Sequence, residues 1–522
     1  MNAPILASRG LSAFAATLAV AGLSFALAIA SPAHAAAPLD TAKSSLAIVV
    51  RDQTPLRAGP HDAAPQQALL WQGEVVEVRG ERLDDLQVWD YRRERGGFVE
   101  ARRLRRVSLA ADEAPELLAV VRFVRETPGA EALGIGFAAA YLKAATPEML
   151  RGEGGAEVFD AIGTMAERMA QRASSSPGAN ASAGAGPSRP EIALSAHLEV
   201  AARYGIAFKS YERDGTMRIC YDGGAYRRVL ALPADAKQRA RAALGLTRPE
   251  CIDPQTPVSE RQRLDEWRAE VLDRVDETQL SGTTRNRIAT RRASVWSGLA
   301  YQHARRGEMA LADVAAKRAL AELASVDRAE LADDDQAPYN DAAIRVGASR
   351  WAAAATSTKS SRNVAVVTLP GEAGETCVLL VDAKHDASVP LVRRCTFGVV
   401  WVASATLDRE GNALALAVQS LATWRELWVF TKTPGGSWNL QVLPPSTSAP
   451  ELGYIEFAGW VPGGKQMLVA REARGEGRLK RSFEVVRLDT LGIARQAGDP
   501  SVLGPFQRWQ DASWKRETVS VR

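Results

Sequence analysis

The sequence predicts a multidomain α+β protein with a small N-terminal β-barrel, an α-helical middle region and an all-β C-terminal region. The chain has 522 residues, more than one hydrophobic core usually organises. Short β-rich runs alternate with turn residues near both ends of the chain, and apolar residues recur at helical spacing between them. The expected parts are a signal peptide at 1–35, a barrel at 41–110, a helical extension at 111–172, a flexible linker at 173–190, a mainly helical domain at 191–356 and a β domain at 362–522.

The first 35 residues have the order of a secretory signal peptide. Arg9 precedes an apolar stretch from Leu11 to Ala30, and the small residues Ala33 and Ala35 follow it at the spacing of a cleavage site. We therefore expect cleavage after Ala35 and a periplasmic mature chain without a transmembrane segment. An uncleaved membrane anchor is the alternative, because the apolar stretch is nearly long enough to span a bilayer.

Cysteine usage fits an oxidising compartment. The four cysteines allow three pairings, and sequence proximity favours Cys220 with Cys251 and Cys377 with Cys395. Each bridge would restrict the unfolded chain by about 3 kcal/mol. A metal site is not expected, because no CxxC or HxxxH spacing occurs. The formal net charge of +4 gives no indication of a nucleic acid partner.

The first β region carries an ordered set of landmarks. Its β-rich runs are at 46–50, 67–71, 74–78, 86–91 and 97–100. The landmarks are the turn Leu56-Arg57-Ala58-Gly59-Pro60, the glycine-led strand at 72–78, the segment Trp89-Asp90-Tyr91 and the closing segment Gly97-Phe98-Val99. In this order they resemble bacterial SH3-like (SH3b) domains over residues 46–107, with Phe98 where that family has tryptophan. The resemblance implies a barrel that attaches to cell-wall peptides or other envelope ligands.

Basic and aromatic residues of this region are the candidate ligand-binding groups. The basic residues, called the arginine cluster below, are Arg92, Arg93, Arg95, Arg102, Arg103, Arg105 and Arg106. Such a patch attracts anionic polymers or membrane surfaces, although a solvated strand end is the alternative explanation. Among the aromatic residues, Trp89 and Phe98 are expected in the core, which leaves Trp71 and Tyr91 for a groove. The predicted ligand-binding residues are thus Trp71, Tyr91, Arg92, Arg93 and Arg95.

The middle region combines a linker with helices and two short strands. Residues 173–190 are Ser, Gly, Ala and Pro almost throughout, which is typical of a flexible linker. Strands are expected around 204–208 and 217–221. Small and apolar residues fall at the offsets of a helix pair, namely Trp296, Leu299, Ala300, Gly307, Ala312, Ala316 and Ala319. This pattern resembles a single tetratricopeptide helix pair at 293–323, and an ordinary helical hairpin is the alternative.

The C-terminal region alternates predicted strands with turns. The runs are at 364–369, 376–381, 398–403, 413–418, 426–431 and 438–443. The segments 454–470 and 483–488 follow them. The segment from Trp460 to Lys465 resembles the turn of a WD40-type propeller repeat, with Gly463 in place of the usual aspartate. The length leaves room for at most about four blades, so a small propeller and a sandwich of hairpins both remain open.

No catalytic motif accompanies these parts. The histidines beyond the signal peptide, His61, His197, His303 and His385, stand in no motif with a nucleophile, and GxSxG, HExxH, Walker and dinucleotide motifs do not occur. We therefore expect a non-enzymatic envelope protein without a cofactor, which binds peptidoglycan or another envelope polymer through its barrel and periplasmic proteins through its other domains. The alternatives are an envelope hydrolase with an active site in the C-terminal domain and a periplasmic adaptor that does not bind the wall.

Overall fold

The first element of the fold is a seven-stranded antiparallel sheet. The computed structural model describes residues 45–175, 188–213, 215–354, 364–447, 450–475, 478–512 and 514. The predicted signal peptide and most of the predicted linker lie outside these residues. The strands are β1 (Ser45–Val49), β2 (Thr54–Arg57), β3 (Gln66–Leu70), β4 (Val75–Arg82), β5 (Asp85–Asp90), β6 (Arg95–Glu100) and β7 (Leu104–Val107). Their order is β3-β2-β6-β5-β4-β1-β7. An N-terminal antiparallel sheet is thus confirmed.

Period-two alternation gives this sheet a buried face and an outer face. On β5, Leu86 and Val88 are buried, whereas the alternate residues Gln87 and Trp89 are not. The buried cluster is aliphatic and consists of Ala47, Val49, Leu56, Leu70, Val76, Val78, Leu86, Val88 and Val99. The core of the sheet therefore contains no aromatic side chain among the described residues.

The middle region is helical, as predicted. Its helices are α1 (Ala114–Arg125), α2 (Glu131–Ala144), α3 (Pro147–Arg151), α4 (Glu153–Ser175), α5 (Arg189–Arg203), α6 (Gly224–Ala231), α7 (Ala236–Leu246), α8 (Val258–Asp273), α9 (Gly282–Arg305), α10 (Met309–Ala324) and α11 (Asp333–Ser349). A hairpin of β8 (Phe208–Arg213) and β9 (Thr216–Tyr221) lies between α5 and α6. Of the strand expected at 204–208, only Phe208 is in β8, because the chain turns at Gly205 with a φ of +80°.

The helices on either side of the predicted linker belong to one core. Helix α4 continues to Ser175, and α5 begins after a capping box at Ser188. Met165 of α4 and Ala201 of α5 lie in the same buried cluster as Leu117 of α1. Hydrophobic packing therefore crosses the composition change that marks the linker.

Helices α9 and α10 form the pair expected at 293–323. A turn at Gly307, with a φ of +76°, separates them. Ala300 of α9 and Ala312 and Ala316 of α10 are buried, which lets the two helices approach closely. Trp296 is half-buried beside them.

Three antiparallel groups of strands follow, in agreement with the predicted C-terminal β region. A three-stranded sheet contains β10 (Val364–Pro370), β11 (Thr376–Asp382) and β12 (Val392–Thr396). The first meander contains β13 (Val399–Leu407), β14 (Ala413–Leu421), β15 (Trp424–Lys432) and β16 (Trp438–Leu443). The second contains β17 (Leu452–Val461), β18 (Gln466–Gly475), β19 (Arg478–Arg487) and β20 (Ile493–Ala497), and α12 (Gly504–Trp509) follows it. A parallel pairing of β15 with β17 joins the meanders into one eight-stranded sheet.

Both predicted disulfides are present. Cys220 of β9 is bonded to Cys251, which follows α7. Cys377 of β11 is bonded to Cys395, which lies directly opposite on β12. The pairing by sequence proximity is thus confirmed.

Shared cores connect the three regions. Ile48 of β1 packs in the cluster of the first helices. Trp401 of β13 packs with helices α7 to α10, and Ile344 of α11 packs with Tyr454 of β17. None of the described helices is long and apolar enough to cross a membrane.

Candidate functional site

The first two residues of the arginine cluster contact a buried carboxylate. Glu74, whose side chain is 3% exposed, accepts a hydrogen bond from Nη1 of Arg92, of Arg93 and of Arg203 on α5, each at 3.1 Å. Burial acts to lower the pKa of the Arg93 guanidinium because it disfavours the charged form. Hydrogen bonds to Glu74 and Asp90 outweigh this effect, so the pKa is raised. These arginines fasten the sheet to α5.

The rest of the arginine cluster is also paired. Arg95 donates to the backbone carbonyl of Gln67 at 2.9 Å. Carboxylates accept from the others: Glu100 from Arg102 and Arg103, Glu116 from Arg105, and Glu81 from Arg106. Most of the positive charge counted along the sequence is therefore offset by neighbouring carboxylates, and an anion would have to compete with them.

Trp71 and Tyr91, the predicted groove residues, have different surroundings. Trp71 is half-buried against α5, where its ring meets that of His197 edge-on at a centroid distance of 6.2 Å. Tyr91 is 65% exposed, and its hydroxyl donates to Glu77 at 3.0 Å. No ring contact joins Trp71 to Tyr91 among the described residues.

Tyr91 lies in the turn after β5, and its hydroxyl reaches Glu77, which is directly opposite Trp89 in the register of β4 and β5. The side chain is therefore on the same outer side of the sheet as Trp89 and Phe98. Trp89 lies opposite Gly96 in the register of β5 and β6, and Phe98 lies two residues further along β6 on the same side. Both are half-buried. We call Trp89, Tyr91 and Phe98 the aromatic face.

Polar groups flank the aromatic face. The guanidinium of Arg79 lies 4.5 Å from the ring centroid of Trp89, a cation–π distance. Arg79 also donates to Glu77 at 2.7 Å, and this hydrogen bond is the main reason that the pKa of Glu77 is lowered, with a further contribution from Tyr91. Flat apolar rings are thus bordered by fixed donors and acceptors, the arrangement that binds amphipathic ligands.

The expectation that Trp89 and Phe98 fill the core is wrong. Period-two alternation explains the difference, because Val88 on β5 and Gly97 and Val99 on β6 take the inward positions. The inner face is also tightly packed there, since a Cβ atom at Gly97 would lie 2.7 Å from both the side chain of Leu56 and the carbonyl oxygen of Arg57. Trp89 instead covers Gly96, where a Cβ atom would lie 3.1 Å from its ring. The alternation on β5 was the sequence signal for this face.

The histidines occupy separate places. His197 is buried and lies 2.8 Å from Asp52, a contact between α5 and the N-terminal sheet. His303 contacts Glu308, and His385 in the loop after β11 contacts Asp382 at the end of that strand. His61 is exposed in the loop between β2 and β3.

One group of described residues has the proximity of metal ligands. Glu375, Cys377 and Cys395 lie within 4.8 Å of one another. The two cysteines are bonded to each other, so neither offers the thiolate that binds a metal ion.

Comparisons of the chain with protein-family models, with curated proteins and with solved structures found no match.

Proposed function

We propose that this chain is an exported, non-enzymatic envelope protein that binds a cell-wall polymer through the aromatic face of its N-terminal sheet. The observation that carries the proposal is the position of Trp89, Tyr91 and Phe98 on one outer face, bordered by Arg79 and Glu77. Sugar and peptide units present flat apolar patches between polar groups, and such rings and flanking groups are complementary to them.

The finer fold belongs to the same proposal. The seven strands follow the landmarks of a bacterial SH3-like domain, and we propose that they form such a barrel. We also propose that the two four-stranded meanders correspond to propeller-type blades and present protein-binding surfaces. The signal-peptide pattern and the two disulfides support export to an oxidising envelope compartment.

Sedimentation with purified peptidoglycan tests this proposal. The mature chain is used whole, because Ile48 of the sheet packs among the helices. Raising the ionic strength from about 0.1 M to about 1 M shortens the Debye length from about 10 Å to about 3 Å. Since the arginine cluster is paired, we expect retention to persist over this range.

Matched aromatic variants locate the binding surface. We expect Tyr91→Ala and Trp89→Ala each to weaken retention about tenfold, equivalent to about 1.4 kcal/mol. Phe123→Ala is the control, because Phe123 is an aromatic residue 78% exposed on α1, away from the aromatic face. Equal retention of all three variants would contradict the assignment to this face. Absence of retention by the unaltered chain would contradict wall binding and favour a protein partner.

A further inference from the structure

A cleft in the helical middle region is lined by charged residues that have no part in the proposed wall binding. It has a volume of about 400 Å³ and lies among α4, α6, α7, α9 and α11. This volume is in the range of small-molecule sites. We call it the arginine cleft, because five arginines line it: Arg168, Arg241, Arg248, Arg287 and Arg291.

The carboxylates of the arginine cleft are already engaged. Glu167 and Glu250 accept from Arg248 at 3.1 and 2.8 Å. The Nε–H of Arg287 donates a bifurcated hydrogen bond to the two carboxylate oxygens of Asp335, at 2.8 and 2.9 Å. Three carboxylates therefore stand among five arginines, which leaves an excess of positive charge in the lining.

Behind the wall of the cleft, Arg241 pairs with Asp160. Asp160 is fully buried and also pairs with Arg125 at 3.0 Å. This carboxylate holds Arg241 in place but does not line the cleft.

Arg291 is the least compensated of these arginines. Its Nη1 donates to the backbone carbonyl of Leu244 at a long 3.3 Å. Among the described residues it makes no ion pair within 4.0 Å. Burial lowers the pKa of its guanidinium to about 10, although the nearby Glu250 acts in the opposite direction. A partly desolvated cation of this kind gains from an anionic partner.

Arg168 is also incompletely paired. It donates to the backbone carbonyl of Arg125 at 2.9 Å. Its carboxylate partner, Glu131, is 3.7 Å away and accepts a shorter hydrogen bond of 2.7 Å from Arg172. Two arginines of the cleft, Arg168 and Arg291, thus retain donor capacity for a ligand.

We propose that the arginine cleft binds a small organic anion that carries at least two carboxylate or phosphate charges, with Arg291 and Arg168 as its principal partners. The planar guanidinium fork matches both groups and can donate two parallel hydrogen bonds to either. Leu244 and Pro338 line the same cleft and supply apolar contact for the ligand's carbon atoms.

Isothermal titration of the mature chain with citrate and, separately, with inorganic pyrophosphate tests this proposal. We expect at least one of them to bind with a Kd below about 1 mM. Binding of citrate alone identifies a polycarboxylate ligand class, and binding of pyrophosphate alone identifies a phosphorylated one. Failure of both to bind at this level would overturn the proposal.

Variants assign the binding to the cleft. We expect Arg291→Gln to weaken the affinity at least tenfold, and Arg168→Gln serves the same purpose if the first variant does not fold. Arg274→Gln is the control, because Arg274 is a largely exposed arginine at the end of α8 outside the cleft. An affinity unchanged from that of the control would refute the assignment. Tyr91→Ala should bind the anion normally, so this result stands apart from wall binding.

Discussion

Glu456 on β17 lies between two buried arginines, and replacing it should destabilise the protein strongly. Glu456 is 2% exposed, and Arg425 on β15 is fully buried. Arg350, which follows α11, donates to Glu456 at 2.9 and 3.2 Å, and Arg425 donates to the same carboxylate. Arg425 also donates to the carbonyl of Gly347 at 2.8 Å. This triad fastens the end of α11 to the C-terminal sheet.

The magnitude follows from the charges left behind. Glu456→Gln removes the negative charge but leaves both guanidiniums buried, and breaking a buried pair in this way costs about 3–5 kcal/mol. Urea unfolding followed by tryptophan fluorescence measures the loss. Asp489→Asn is the control, because Asp489 lies 3.9 Å from Arg487 and both are exposed. That change should stay within about 0.5 kcal/mol. A loss below about 1 kcal/mol for Glu456→Gln would refute this account of the triad.

The same carboxylate gives the triad a pH dependence. Burial acts to raise the pKa of Glu456, but Arg350 and Arg425 outweigh it and hold the pKa below its ordinary value of 4.5. The folded state therefore keeps the carboxylate ionised where the unfolded chain is already protonated. Its contribution is complete above pH 4.5 and is lost as the pH falls through the folded-state pKa. Wild-type protein should lose more stability on acidification than Glu456→Gln, and parallel losses would contradict this.

Two further predictions concern packing and the disulfides. Alanine normally stabilises a helix relative to glycine by about 1 kcal/mol. At Gly163, however, a Cβ atom would overlap the ring of Tyr226. Gly163→Ala should therefore lower the free energy of unfolding by about 1–3 kcal/mol. Gly298→Ala is the control and should stabilise the protein, because its Cβ atom would have its nearest neighbour at 3.8 Å. If Gly163→Ala also stabilised the protein in the same urea assay, the close contact of Gly163 with Tyr226 would be contradicted. Replacing Cys377 and Cys395 by serine should lower the free energy of unfolding by about 3 kcal/mol. Denatured, unreduced mature protein should contain no titratable thiol. Detection of four thiols would exclude both disulfides.

Most strands of the C-terminal region could be predicted from their apolar residues. The run predicted at 438–443 coincides with β16, and the segment at 454–470 covers most of β17 and the first half of β18. The other C-terminal runs lie within strands or differ from them by a few residues. The strands β12 and β20 were not predicted, and both lie at sheet edges. None of their residues is fully buried, and both strands carry charged side chains, Arg393 and Arg394 in β12 and Arg495 in β20. Such strands lack the apolar alternation on which a prediction depends.

The candidate site could be predicted only in part. The sequence identified the aromatic residues, and the alternation of Leu86 and Val88 with Trp89 contains the information that Trp89 points outward. Near partners of the arginine cluster, such as Glu100 beside Arg103, were visible in the sequence, but the contact of Arg92 with Glu199 on α5 was not, because 107 residues separate them. The arginine cleft was not foreseen either, since its residues come from five helices and the segment after α7.

The position of Ile48 also affects the order in which the chain can fold. Ile48 of β1 shares its buried cluster with Ala225 of α6, a residue made about 180 positions later. At a synthesis rate of about 5–20 residues per second, α6 is synthesised on the order of ten to forty seconds after β1. During that interval the apolar side of β1 has no native neighbour from α6. The buried cluster that contains the first strand therefore cannot be completed until α6 has been synthesised.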